Sequence, residues 1–234
     1  MTLQEIKENV FDANLELVRR GLVIYTWGNV SMIDREKGII VIKPRGIEYA
    51  DLCADDMSVT DLDGNLVEGT KLLPSVDLDI HIAIYKQFKE VQAIAHTHST
   101  HATAFAQARL DIPCLGTTHA DHFYGPIPCT RALTKEETAT DYEKHTGDVV
   151  VETFLERKID PMQVFGVNVA GHGPFTWGST SALAVENSVI LEELSRMAIL
   201  TRQLKSDSKL LEDYALDKHF LRKHGKNSYF YQSK

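Results

Sequence analysis

The chain has 234 residues and a formal net charge of −8, with 43% hydrophobic and 25% charged residues. This composition is ordinary for a globular domain and excludes disordered, fibrous and disulfide-stapled classes. The acidic balance argues against a general nucleic-acid surface, because phosphate backbones require a basic field. No apolar run approaches the ~18 residues of a membrane span. We therefore expect a single domain over residues 1–234 that binds neither nucleic acid nor membrane.

Two features of the sequence indicate a reducing compartment. The first residues are polar and follow a helical pattern, so no signal peptide is expected. Cys53, Cys114 and Cys129 are odd in number, widely spaced and without a CxxC motif, as is typical of reduced thiols. We therefore expect a cytoplasmic protein.

Hydrophobic periodicity predicts helices interspersed with hairpin strands. A capping box at Thr2 opens the first helix, and Gly21 ends it. The predicted helices cover residues 3–20, 77–89, 100–109, 134–146, 180–204 and about 208–224. The predicted strands cover residues 22–33, 39–44, 57–69 (a hairpin turning at Asp63–Gly64), 91–99, 148–154 and 164–171. Residues 116–129, interrupted by glycine and two prolines, are predicted to form a loop.

Strands grouped in hairpins, with helices before, between and after them, predict an α/β (α+β) fold. We expect a layered α/β/α single domain with a central, mostly antiparallel sheet flanked by helices. A doubly wound dinucleotide-binding fold is not expected, because no GxGxxG follows a first strand and no P-loop is present.

Three of the ten histidines form a candidate metal centre. His96 and His98 are two residues apart at the end of a predicted strand, so both imidazoles lie on one face. His172 lies between two glycines, where the backbone can turn tightly. Three neutral imidazoles suit a divalent ion such as zinc and leave coordination open for a substrate.

An HxH pair alone is weak evidence for a metal site. His101 is expected to turn away as a helix begins, and His119 and His122 are expected to be polar loop residues. The remaining histidines considered, His81, His145 and His224, have no specific partner in the sequence and are expected to be solvated.

A series of short motifs, in order along almost the whole chain, is more specific than the histidines alone. The motifs are TWGN at 26–29, KPRG at 43–46, PSVD at 74–77, HTHS at 96–99, TTHAD at 117–121, HGPF at 172–175 and KHFLRKHG at 218–225. With these motifs the sequence resembles the metal-dependent class II aldolase/epimerase superfamily, and within it the L-ribulose-5-phosphate 4-epimerases, from about residue 3 to 232.

The resemblance implies a layered fold assembled as a homotetramer, with active sites between neighbouring subunits. It implies a divalent metal, Zn²⁺ or else Co²⁺ or Mn²⁺, and a ketose or ketose phosphate as substrate. The implied reaction is a retro-aldol cleavage of C3–C4 and re-addition, which inverts C4. Such chemistry needs proton carriers on both faces and a clamp for both fragments.

The matched positions give each candidate residue an expected role. His96, His98 and His172 match the metal ligands, Asp77 a carboxylate that can reach the metal, and Asp121 an acid/base. The positions that match substrate contacts are Gly28, Asn29, Lys43, Gly46 and Ser75, and less securely Thr117, Glu143 and His219. Without the resemblance, Asp121 would be interpreted as a loop cap and Lys43 as a solvated strand end.

Several residues depart from the family pattern in the substrate site. Arg45 and Val76 replace two phosphate-binding serines, and an acidic residue, Asp79, stands near the expected phosphate. Phe230 replaces the tyrosine that is the second proton carrier, with Tyr229 and Tyr231 on either side, and His122 replaces a tyrosine beside Asp121.

Two interpretations of these departures stay open. In the first, Arg45 holds the phosphate bidentately and Tyr229 or Tyr231 supplies the hydroxyl. In the second, Val76 and Asp79 disfavour phosphate, and the substrate is a free ketose such as fructose or tagatose. An aldolase that releases its fragments, or a non-catalytic relative that binds metal and sugar, are the alternative functions.

Overall fold

The computed structural model describes residues 1–67, 69–225 and 228. Among them, six strands form one sheet: β1 (Gly28–Asp34), β2 (Ile39–Ile42), β3 (Ser58–Asp61), β4 (Ala93–Thr97), β5 (Gly166–Val169) and β6 (Gly173–Gly178). The order across the sheet is β3-β2-β1-β4-β6-β5. Every pair of neighbours is antiparallel. The predicted antiparallel sheet is therefore confirmed.

The described residues also contain eight α-helices: α1 (Leu3–Arg19), α2 (Leu78–Gln87), α3 (Thr100–Ala108), α4 (Thr117–Ala120), α5 (Lys135–Ala139), α6 (Tyr142–Arg157), α7 (Ser181–Leu204) and α8 (Asp213–His224). Capping boxes at Thr2 and Thr134 open α1 and α5, because each threonine and the glutamate three residues later satisfy one another's backbone amides. Within the described residues, none of the helices combines the length and the apolar character that a membrane crossing would need.

Alternate residues of the strands pack into two hydrophobic layers, one on each face of the sheet. On β2, Val41 packs in the layer that contains α1 and the first turns of α7. Its neighbours Ile40 and Ile42 point the other way, into the layer that contains α2 and α6. This period-two alternation buries both faces of the sheet beneath helices. The predicted layered α/β/α architecture is therefore confirmed.

One predicted strand is wrong. Residues 148–154, rich in valine, belong to helix α6 and not to the sheet. The buried residues Val149, Val150, Thr153 and Phe154 recur at helical spacing and cover one face of the helix. Packing against α2 overrides the β propensity of the valines. The loop predicted over 116–129 contains the single turn of α4, and the strand predicted from residue 22 begins only at Gly28.

Gly147 lies inside α6 because it is the point of closest approach to α2. A Cβ at residue 147 would lie 2.6 Å from the Cβ of Ala83 and 3.2 Å from the Cα of Ile80. A glycine that the sequence pattern marks as a helix end is therefore a packing contact between two helices.

We predict that Gly147→Val lowers the free energy of unfolding by about 2 kcal/mol or more, because the side chain would force α6 away from α2. The matched control is Lys144→Val, which places the same residue on the exposed side of the same helix turn and is expected to cost about 0.5 kcal/mol. Urea unfolding of both variants measures the difference, and equal losses would contradict the packing role of Gly147.

Candidate metal centre and substrate cavity

The neighbouring strand β6 holds the side chain of His96 in one orientation. It pairs across the sheet with Asn29 of β1 and with Phe175 of β6. Its ring stacks on the ring of Phe175, with centroids 4.1 Å apart, and its Nδ1 lies 3.0 Å from the carbonyl oxygen of Pro174. Because Nδ1–H donates to that carbonyl, Nε2 carries the free lone pair.

His98 and His172 complete a cluster around this nitrogen. His98 Nε2 lies 3.1 Å from His96 Nε2. His172 follows Gly171 (φ +75°) in the turn between β5 and β6, with its ring centroid 4.7 Å from that of His96. One ligand nitrogen from each histidine lies within 4.8 Å of the other two. Nδ1 of His172 is buried and has no hydrogen-bond partner among the described residues.

These three imidazoles fit a divalent metal ion. Burial lowers the pKa of His96 well below its ordinary value, and burial likewise lowers the pKa of His98 and His172. For His98 and His172, the nearby Asp77 carboxylate opposes the shift. Neutral imidazoles with converging lone pairs are the donor set that zinc-type ions prefer, and no proton has to leave before an ion binds.

Asp77 lies beside the cluster, with its Oδ2 4.0 Å from His96 Nε2. Although Asp77 precedes the first residue of α2, its side chain makes no capping hydrogen bond to that helix. Its Oδ2 instead accepts from Asn29 Nδ2 at 2.8 Å and from Ser75 Oγ at 3.3 Å. The carboxylate is therefore held at the edge of the histidine cluster by Asn29 of β1 and by Ser75 of its own segment.

A cavity of about 220 Å³ opens beside Asp77. It is lined by Thr26, Gly28, Asn29, Lys43, Pro44, Arg45, Gly46, Ser75, Val76 and Asp77. Eight residues that the sequence analysis placed at the metal or substrate thus share one wall. They come from three segments far apart in the chain, which the antiparallel pairing of β1 with β2 and the bridge between Pro44 and Pro74 bring together.

Lys43 is a buried cation on this wall, and the interpretation as a solvated strand end is wrong. Its ammonium donates to the carbonyl oxygen of Ile47 at 2.8 Å and lies 4.7 Å from the centroid of the Tyr49 ring. Burial lowers the pKa of Lys43, and the charge of Glu48 partly opposes that shift. Because a buried charge without an ion partner is costly, an ammonium that is held, among the described residues, only by carbonyls and a ring strongly attracts an anion.

Asp79 does not line the cavity. One of its carboxylate oxygens lies 3.8 Å from the position that a Cβ on Gly64 would take, in the turn after β3. The expectation that Asp79 places negative charge near a substrate phosphate therefore loses its support. Arg45 is exposed on the cavity wall, and Val76 is 55% exposed at its rim.

Asp121 belongs to a second cluster, between α4 and α8. Its carboxylate accepts from His219 Nδ1 at 3.1 Å and from Arg222 Nε and Nη2 at 3.0 and 2.8 Å. Burial alone would raise the pKa of Asp121, but the hydrogen bonds from Arg222 and His219 outweigh it and lower that pKa. Thr117 lies one turn earlier, and its carbonyl accepts from the Asp121 amide at 2.9 Å.

The described lining of the cavity includes neither Asp121 nor His219. The structure thus brings the predicted residues together in two groups, and not in one. Glu143 lies in the first turn of α6 and is in neither group. Tyr229, Phe230 and Tyr231 lie outside the described residues.

His81 was expected to be solvated, but it is fully buried beneath the site, and this expectation is wrong. Its Nδ1 lies 2.7 Å from Ser31 Oγ, which lies 2.7 Å from the hydroxyl of Tyr85. Burial lowers the pKa of His81 to about 4. Asp77, His81 and Tyr85 recur every four residues, and this spacing in an otherwise apolar helix is the sequence signal that could have revealed the buried string.

Comparisons with known proteins agree with this geometry. Residues 8–199 match the family described as Class II Aldolase and Adducin N-terminal domain. The L-ribulose-5-phosphate 4-epimerase UlaF of Salmonella paratyphi A is 50% identical over 230 residues, which cover 98% of this chain and 100% of that protein.

Solved structures show the same fold. An L-fuculose 1-phosphate aldolase superposes with a TM-score of 0.76 at 23% identity, over 92% of this chain and 94% of that one. The L-fuculose 1-phosphate aldolase from Glaciozyma antarctica PI12 superposes with a TM-score of 0.74 at 21% identity, over 93% and 80%.

The chain therefore belongs to the class II aldolase and adducin N-terminal domain family, and the resemblance inferred from its motifs is confirmed. The relative at 50% identity is named an epimerase, and the solved structures that share the fold are named aldolases. This family typically uses a divalent metal ion, for which the three clustered histidines are suited.

We predict that the metal-free protein loses stability as the pH falls from 7 to 5. An unfolded histidine titrates near pH 6.5, whereas burial lowers the pKa of His81 and of His119 to about 4. Below pH 6.5 the unfolded chain therefore binds protons at these histidines and the folded chain does not. The free energy of unfolding falls by about 1.4 kcal/mol per pH unit for each such group. Urea unfolding at pH 7 and 5 measures this slope. The slope should decrease in His81→Gln but not in the partly exposed control His145→Gln; a stability independent of pH over this range would contradict the burial of neutral histidines.

Proposed function

We propose that the chain is a metal-dependent ketose phosphate 4-epimerase that breaks and re-forms the C3–C4 bond, of the type that interconverts L-ribulose 5-phosphate and D-xylulose 5-phosphate. The observation that carries the proposal is the cluster of three neutral imidazoles beside a polar cavity with two cationic side chains. The name of the relative at 50% identity supports the same substrate and reaction.

His96, His98 and His172 would hold the ion, with Asp77 next to it. A bound zinc, cobalt or manganese ion supplies a Lewis acid for the carbonyl and hydroxyl oxygens of a ketose. Asn29 then serves two purposes. Its Nδ2 holds the Asp77 carboxylate, and its Oδ1 is buried without a partner among the described residues, so it is free to accept from a substrate hydroxyl.

The cavity favours a phosphorylated substrate over a free ketose. Lys43 is a buried ammonium and Arg45 carries a second positive charge on the same wall. A guanidinium binds phosphate bidentately, and each charged hydrogen bond contributes about 1.5–3 kcal/mol. Since Asp79 lies away from this wall, the one acidic lining residue among those described is Asp77, which faces the histidines.

Asp121 would carry the proton at the C4 oxygen. Its hydrogen bonds from Arg222 and His219 keep the carboxylate ionised, which is the state that accepts a proton when the C3–C4 bond breaks. When the aldehyde has turned over, its oxygen faces the opposite side of the site and takes a proton there from a second group, while the Asp121 carboxyl returns its own proton to water. Since Phe230 cannot carry a proton, Tyr229 or Tyr231 would act on the opposite face.

Asp121 and the metal-side cavity would meet across an interface between two copies of the chain. Within one chain, the described lining of the cavity lacks Asp121 and its partners. We therefore propose a homo-oligomer, a tetramer, in which each site takes its metal ligands from one subunit and Asp121 from the next. The unpaired thiols of Cys53, Cys114 and Cys129 support a cytoplasmic location.

We predict that the zinc-loaded protein converts L-ribulose 5-phosphate with a kcat/KM at least ~100-fold above that for D-tagatose or D-fructose, because two charged contacts to phosphate are lost with a free ketose. Chromatography of the products also separates an epimerase from an aldolase. An epimerase yields only the C4-inverted phosphopentose, whereas an aldolase accumulates a three-carbon ketone and a two-carbon aldehyde phosphate. Preference for the free ketohexose would overturn the phosphate site.

We predict that two inactive variants regain catalytic activity when they assemble into the same oligomer. His98→Ala removes a metal ligand and Asp121→Asn removes the proton carrier, so each pure variant should lose activity. Co-expressed at equal levels, they should regain about a quarter of the wild-type activity, since one site in four combines two intact halves. The control pair, His98→Ala with His172→Ala, damages the same half and should stay inactive. A complementing mixture that also stays inactive would contradict the shared site.

A further inference from the structure

The helix that follows the second candidate ligand starts in an unusual way. His98 is two residues before the first residue of α3, and Ser99 is the N-cap residue between them. Although serine is a good capping residue, the Ser99 side chain makes no capping hydrogen bond. The exposed amides at the start of a helix need acceptors, so something else must satisfy them.

Glu192 of α7 provides these acceptors from about ninety residues away in the chain. Its Oε1 accepts from the His101 amide at 3.0 Å, and its Oε2 accepts from the Ala102 amide at 2.9 Å. Its Oε1 also lies 2.8 Å from Nδ1 of the His101 ring. The Glu192 side chain is only 17% exposed, so this carboxylate is a mostly buried charge.

The charge at this place is stabilised by its surroundings. Burial alone would raise the pKa of Glu192, but the amides of His101 and Ala102 together with the His101 ring outweigh it and lower that pKa. A carboxylate at a helix N-terminus also faces the positive end of the helix dipole. The link between α3 and α7 therefore consists of charge-assisted hydrogen bonds from two backbone amides to one carboxylate.

We infer that Glu192 is a positioning residue for the metal centre: by fixing the first turn of α3 against α7, it sets the position of His98 relative to His96. β4 ends at Thr97, so the sheet itself does not hold His98. The backbone on one side of His98 is fixed by the sheet and on the other by the turn that Glu192 holds. The same carboxylate binds the ring of His101, the third histidine of the HTHSTH segment. This ring therefore lies outside the histidine cluster.

This inference rests on the metal site of the proposed function, and metal binding tests it without turnover. In the Glu192→Gln variant an NH₂ group would face an amide N–H, so at least one backbone bond would be lost. We expect a weakening of Zn²⁺ binding to the metal-free protein of about 10-fold or more, as is typical when a partner of a ligand is removed. Competition with a chromophoric chelator measures the dissociation constant, and the visible absorption of the Co²⁺-loaded protein reports the coordination geometry.

The neighbouring residue offers a matched control. Glu193 is half exposed and pairs with Arg196 on the same helix, so Glu193→Gln removes the same charge without touching α3. It should bind Zn²⁺ as the wild type does. His101→Ala, which keeps both backbone amides, should also bind within about twofold of the wild type, because the inference assigns the effect to the backbone.

Three outcomes would overturn the inference, and they are distinguishable. Equal affinity and an unchanged Co²⁺ spectrum in Glu192→Gln would show that α3 needs no such anchor. A loss in His101→Ala as large as in Glu192→Gln would move the effect to the ring. A wild-type protein that binds no metal would remove the metal site itself, and with it the proposed function. Thermal unfolding of each metal-free variant shows whether a loss of affinity reflects a loss of fold. If the Glu192→Gln variant is unfolded, Glu192→Asp is measured in its place, and its shorter side chain should also weaken Zn²⁺ binding.

Discussion

The candidate site depends on the register of three antiparallel strands. Because Asn29 pairs with His96 and His96 pairs with Phe175, one row across the sheet carries a polar cavity residue, an imidazole and an aromatic ring. The ring of Phe175 and the carbonyl of Pro174 fix the imidazole, so its second nitrogen points in one direction. A slip of one residue in β4 would turn His96 to the opposite face, away from Asn29, and the other two histidines would have no cluster to join.

Burial is what makes the site chemically distinct from the rest of the surface. Removal from water keeps the imidazoles neutral. The Lys43 ammonium is likewise removed from water and lies against carbonyls and a ring, and burying this charge is costly for stability. Beneath them, the string from Tyr85 through Ser31 to His81 leaves Nε2 of His81 buried without a partner among the described residues. Unfavourable groups of this kind persist where function requires them, and here they concentrate around the histidines.

Much of this arrangement could be predicted from the sequence, because it follows local rules. The HxH spacing at the end of a strand puts two imidazoles on one face, and the glycines around His172 allow the turn that brings the third. The hairpins, the capping boxes at Thr2 and Thr134 and the long helix α7 also follow local signals.

Contacts between distant segments could not be predicted in this way. Valines over residues 148–154 have the composition of a strand, but a face that packs on α2 makes them helical. The burial of His81, the exclusion of Asp79 from the cavity and the capping of α3 by Glu192 each depend on which elements become neighbours. The two-group distribution of the site residues is likewise a property of the folded chain and its expected assembly.

The central claim is that one ion binds at His96, His98 and His172 beside the cavity wall. An anomalous difference map from crystals of the cobalt-loaded protein tests it most directly. We predict a single strong peak at about 2.0–2.1 Å from one nitrogen of each of the three imidazoles, on the side that faces Asp77. A peak at other residues, or a peak bonded to His101 in place of His98, would contradict it.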